Sequence, residues 1–104
     1  MDKPANPHPP IHPGEIIKKE IDRRNLTQRL VAKWTGMSFT VLNEILKGKR
    51  PLTEKTALMF NAALGISAER LMSLQTKHNL YKLRNDEKFI EKLQEVSMLR
   101  KTIH

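Results

Sequence analysis

With 104 residues, 38% of them apolar, the chain is long enough for one domain with a small core and too apolar to be wholly disordered. It has no cysteine, which excludes a disulfide framework, a thiolate zinc site and a cysteine nucleophile, and fits a reducing cytoplasm. Nineteen Lys and Arg against eleven Asp and Glu give a net charge of +8, which points to a polyanion partner, with nucleic acid ahead of an anionic membrane.

In chain order, residues 1–11 come first as a proline-rich arm, expected to be extended because proline removes amide donors and disfavours helix. His8 and His12 are four apart, but Pro9 and Pro10 forbid the helix that would make them a metal pair, so no metal is expected. A first helix can begin at Pro13, with Glu15 near its positive end and Ile16, Ile17 and Ile21 on one face. Asn25 is its stop. Thr27 then caps a short second helix carrying Leu30, Val31, Ala32 and Trp34, broken at Gly36.

Ser38 caps a third helix with Val41, Leu42, Ile45 and Leu46 at one-face spacing; Gly48 ends it and Pro51 blocks an immediate restart. Thr53 caps a fourth over Ala57–Leu64, closed by Gly65, and Ser67 caps a fifth through Leu71, Met72, Leu74 and Leu80. From Asp86 onward, Phe89, Leu93, Val96 and Ile103 follow steps of four, three and seven, the pattern of a last amphipathic helix. The five methionines are expected to serve as core filling. No strand pattern competes, so the expected class is all-α. No apolar run exceeds the four residues Ala57–Phe60, which excludes a helical membrane span among these segments.

The layout over 27–48 is a short helix, a glycine turn and a capped second helix, the plan of a helix-turn-helix. In that plan the second helix enters a major groove and presents its first-turn side chains to base edges. The charge agrees with it: residues 14–52 hold nine basic and four acidic residues, a net +5, whereas the segment from Arg84 is nearly balanced.

The run Leu26–Ser67 (LTQRLVAKWTGMSFTVLNEILKGKRPLTEKTALMFNAALGIS) resembles the lambda-repressor-like, or XRE-type, helix-turn-helix domain. HPGEII at 12–17, GKRPLT after the third helix and LQTKHNL at 74–80 further resemble antitoxins of the HigA type, which pair with HigB-type ribonuclease toxins. The likeness covers about residues 12–80. Departures are few: Leu71 and Met72 stand where a Trp is common, Asn79-Leu80 replaces Asp-Leu, and Leu30 and Trp34 fall where polar residues are commoner. Thr35 stands at a position the family usually buries. With the resemblance, 12–83 is expected to be a five-helix domain; the prolines make 1–11 an arm and the apolar spacing makes 84–104 a helical extension.

The resemblance also implies that Gln28 holds a phosphate. Phe39, Thr40, Asn43 and Glu44 occupy the recognition face, with Ser38 a cap that can also meet a phosphate. Asn43 suits adenine by its paired donor and acceptor, Thr40 suits a base edge, and Glu44 can accept from cytosine. Phe39 meets a thymine methyl or packs inward. Arg29, Lys33, Lys47, Lys49 and Arg50 are candidates for phosphate contacts, which add affinity without sequence information. Leu30 and Trp34, one turn apart, either form an exposed partner patch or lie under the arm or the last helix. Phe89, Leu93 and Val96 either dimerise, bind a toxin or pack on the domain.

Three functions follow. The leading one is a dimeric antitoxin that reads double-stranded DNA at an inverted repeat, represses its own operon and binds a HigB-type toxin. The second is a stand-alone XRE-type regulator, and the third an interaction module with degenerate DNA reading. No catalytic set, phosphate-cradling loop or cofactor motif emerges, so an enzyme is not expected. Membrane binding is not expected either, because the last helix is charge-balanced rather than basic.

Overall fold

The structure, a computed structural model, describes residues 9–103, the side chain of Ile103 excepted. Residues 1–8, which include His8 and most of the expected arm, lie outside the described residues. Among the described residues six helices follow one another: α1 (Pro13–Arg23), α2 (Gln28–Thr35), α3 (Phe39–Leu46), α4 (Glu54–Leu64), α5 (Ala68–Arg84) and α6 (Glu87–Ile103). Among the described residues there is no strand, so the all-α class holds.

Residues 11–76 form one compact unit, and the residues from Lys77 onward belong to another. The core of the first unit is drawn from every helix in it: Ile17 and Ile21, Val31, Leu42 and Ile45, Phe60 and Leu64, and Leu71, each no more than 1% exposed. Phe60 is the largest of these fully buried side chains. Leu52, in the loop after α3, also joins the core.

Local capping explains where each helix starts. His12 is the N-cap of α1, its Nδ1 accepting from the Gly14 amide at 2.9 Å, with Pro13 at the first helical position. Thr27, Ser38 and Thr53 cap α2, α3 and α4 through their hydroxyl oxygens, and Thr53 with Thr56 forms a reciprocal capping box. Ser67 accepts from Arg70 N at the head of α5, and Asp86 from Phe89 N at the head of α6.

The HPGE and LQ elements acquire physical roles here. Gly14 sits against the C-terminal turn of α3, where an added Cβ would run into the carbonyl oxygens of Ile45 and Leu46. No other residue permits that approach of α1 to α3. Gln75, 3% exposed, accepts from the Leu52 amide through Oε1 at 2.8 Å, which pins the loop that follows α3. A buried amide with no partner would cost about 1–3 kcal/mol, so this bond holds the loop in place.

At the other end of α1, Glu20 holds both Arg23 and Arg24, and Arg24 Nη2 donates to the Leu64 carbonyl at the end of α4 at 2.7 Å. These hydrogen bonds, from Arg23 first and Arg24 second, lower the Glu20 pKa below the ordinary carboxylate value.

In the second unit, Asn85 Nδ2 donates to the Tyr81 carbonyl as α5 ends. In α6 the side chains of Ile90 and Ser97 are half-buried, whereas Phe89, Leu93, Val96, Met98 and Leu99 are exposed. Met98, at 65%, departs from the expectation that the methionines fill the core; it lies on the side of α6 opposite the apolar stripe.

Candidate nucleic-acid interface

The α2–α3 pair is built by a three-residue turn. Gly36 adopts φ 75°, the left-handed conformation that lets α2 stop and α3 depart at a new angle. The space around it is open, so the requirement is conformational rather than steric. Ser38 accepts from Val41 N at 3.1 Å and starts α3. Thr35 is half-buried yet satisfied, because its hydroxyl donates to the Val31 carbonyl at 2.9 Å. Val31 and Ala32 face the core, as do Leu42, Ile45 and Leu46, which leaves the opposite side of both helices to solvent.

Three side-chain pairs organise that open side. Asn43 Nδ2 donates to Gln28 Oε1 at 3.3 Å, linking α3 to the first residue of α2. Arg29 stacks its guanidinium over the Phe39 ring, 5.0 Å from the centroid. Glu44 Oε1 accepts from Arg50 Nε and Nη2 at 3.1 and 2.8 Å. The Glu44 carbonyl also accepts from Lys49 N at 2.8 Å, so the basic stretch after α3 folds back onto the helix.

The chemistry that remains follows from donor and acceptor counts. Gln28 uses its oxygen on Asn43 and keeps its amide N–H groups, which are phosphate donors. Asn43 keeps its oxygen and one N–H, the pair an adenine edge requires. Glu44 is engaged by Arg50, so it sits beside a cation instead of standing as a lone carboxylate. Phe39 is 42% exposed and lies outside the core, with Thr40 exposed beside it. Lys33, Lys47 and Lys49 are exposed as well.

Leu30 and Trp34 are also exposed, Trp34 at 52%. Trp34 and Thr35 of α2 and Met59, Ala62 and Ala63 of α4 line an open groove of about 580 Å³. The pairings across α2 and α3 were not legible in the sequence; only the opposite charges of Glu44 and Arg50, six residues apart, offered a signal. The structural parts played by His12 and Gln75 had none beyond the resemblance of their motifs, and that of Arg24, which lies outside those motifs, had none at all.

Among the described residues no group of three or more His, Asp or Glu side chains could hold a metal ion. Nor, among the described residues, is any helix long and apolar enough to cross a membrane.

This geometry defines a helix-turn-helix, and the family comparison agrees: residues 17–71 match the helix-turn-helix family model. The uncharacterized HTH-type transcriptional regulator YddM of Escherichia coli is 31% identical over 101 residues, 97% of each chain. Among solved structures, an addiction module antidote protein of a HigA family from Coxiella burnetii is 31% identical with a TM-score of 0.69, covering 82% of this chain and 95% of that one. PA4674 from Pseudomonas aeruginosa, in complex with its operator DNA, is 27% identical with a TM-score of 0.64, covering 70% and 81%. The chain belongs to the helix-turn-helix family of DNA-binding proteins and is not an enzyme.

Proposed function

We propose that the chain is the antitoxin of a type II toxin–antitoxin module. As a dimer in the cytoplasm it binds an inverted-repeat operator, represses its own operon and neutralises a HigB-type ribonuclease by direct binding. The observation that carries this reading is the likeness to the HigA-family antidote over nearly the whole of that protein. The operator complex of PA4674 supports the DNA half.

In this reading residues 12–83 are the DNA-binding domain and 84–104 its helical extension. Thr40, Asn43 and Phe39 meet base edges, and Gln28 and Ser38 meet phosphate. Arg29, Lys33, Lys47, Lys49 and Arg50 supply the electrostatic grip. Glu44 positions Arg50. Leu30 and Trp34, with the groove beside them, and Phe89, Leu93 and Val96 are the partner surfaces.

The DNA half is tested by footprinting on the region upstream of the gene and by binding across a salt series. Log affinity is expected to fall linearly with log salt, with a slope of about −4 to −6 for roughly that many phosphates. Salt-insensitive binding sinks it. The toxin half is tested by co-expression with the adjacent small reading frame: growth arrest by that frame alone, relieved by this chain and accompanied by co-purification, is the expected outcome. The likeness to YddM, which is named a transcriptional regulator, supports a second reading, a stand-alone regulator without a toxin partner. A neighbouring product that is harmless alone would select it.

A further inference from the structure

We propose that α3 requires a pyrimidine C5-methyl group in the major groove, and that Phe39 is the side chain that reads it. Thymine carries that group, and so does 5-methylcytosine. The proposal rests on the DNA reading above and adds the chemical group that one position of the operator must present.

The side of α3 turned away from the core is polar except at one place. Thr40, Asn43, Glu44 and the C-cap Lys47 share it with Phe39. Phe39 is 42% exposed and lies outside the core, the large apolar side chain that α3 leaves open. It is the first residue of the helix, directly after the Ser38 cap, at the end that a recognition helix presents to base edges. Those edges are donors and acceptors, and the C5-methyl is the one alkyl group among them. Against any other edge the ring would strip water from polar atoms without replacing their hydrogen bonds.

Two contacts fit the ring for this use. The Arg29 guanidinium lies over it, 5.0 Å from the centroid, and restrains its orientation before DNA arrives. Asn43 lies four residues on, hence on the same side of α3, and its bond to Gln28 leaves an oxygen and an N–H for adenine. Adenine pairs with thymine, so Phe39 and Asn43 call for the same kind of base pair. A cytosine at the Phe39 position gives the ring nothing to pack against until it is methylated. The same contact therefore makes binding responsive to cytosine C5 methylation.

The probe is the operator duplex that footprinting defines upstream of the gene, bound by the full-length chain. Deoxyuridine replaces thymine one position at a time, which removes the methyl and keeps the pairing. At one thymine in each half-site a loss of about fourfold is expected, the worth of one buried methyl. With Phe39→Ala the thymine and uracil duplexes should bind alike, measured at low salt, where phosphate contacts keep binding in range. Phe39 is exposed, so an unchanged circular dichroism spectrum shows that the variant is folded. With cytosine or 5-methylcytosine at that position, the methylated duplex should bind about fourfold tighter. Equal binding of those two confines the reading to thymine and overturns the response to methylation. Uracil duplexes that bind like thymine ones at every position overturn the proposal and leave the DNA reading standing. So does a thymine preference that survives Phe39→Ala. An unsubstituted operator bound no better than random DNA removes the DNA reading, and the proposal with it.

Discussion

Helices α4 and α6 carry apolar residues at the same kind of spacing and meet opposite fates. Ala57, Phe60 and Leu64 step by three and four along α4, and each is at most 1% exposed. Phe89, Leu93 and Val96 step by four and three along α6, and each is at least 37% exposed. Periodicity therefore states which side chains share a face. Whether that face is covered depends on what other elements bring to it. Around α4 those elements are α1 and α2, with Leu71 of α5 in the same core.

The sharpest way to break the comparison is to truncate one residue on each helix. Phe60→Ala should lower the unfolding free energy by about 3–5 kcal/mol in urea denaturation, since it opens a cavity in the core. Val96→Ala should shift it by less than about 0.5 kcal/mol at concentrations where the chain is monomeric. Equal losses at the two positions would mean that α6 is enclosed as α4 is.

A smaller effect is expected where α1 meets α3. Gly14→Ala forces a methyl group into the carbonyls of Ile45 and Leu46, and a loss of about 1–3 kcal/mol is expected from the overpacking. Gly36→Ala has open space but a positive φ, so about 1 kcal/mol is expected from backbone strain alone. A Gly36→Ala variant that loses more than the Gly14→Ala variant would reverse the assignment of steric and conformational roles.

The smallest effect concerns pH. The Glu20 pKa is lowered by Arg23 and Arg24, so its folded value lies below its unfolded one. The stabilisation is then present above the unfolded pKa and lost as pH falls through the folded one. Glu20→Gln should be slightly less stable than the parent at neutral pH and equal to it in acid. A gap between the two urea midpoints that persists unchanged in acid would show that the carboxylate is not its source.

The interface shows in detail what could be read early and what could not. The helix starts at Thr27, Ser38, Thr53 and Ser67, and the glycine turn at Gly36, were legible because capping and left-handed turns depend on residues within a few positions of each other. The all-α class followed from the same local signals. The partners of the recognition face did not. Gln28 and Asn43 are fifteen residues apart, Arg29 and Phe39 ten, and no spacing rule brings such residues together. Leu30 and Trp34 were seen to share a face, but their exposure and the groove with Met59 and Ala62 depend on where α4 lies.

The sequence by itself determined a short, basic, all-helical chain whose positive excess lies around a helix–turn–helix, because composition, periodicity and caps are local properties. Only the tertiary structure decided how that charge is arranged. It ties Arg50 to Glu44 and stacks Arg29 on Phe39, so part of the basic surface is held in fixed geometry against α3. It uses Gln75 to hold the Leu52 amide and Arg24 to hold the Leu64 carbonyl, contacts that span 23 and 40 residues. The reason is physical. A buried polar group must find a partner wherever the packed chain supplies one, and packing follows the whole fold rather than neighbouring positions.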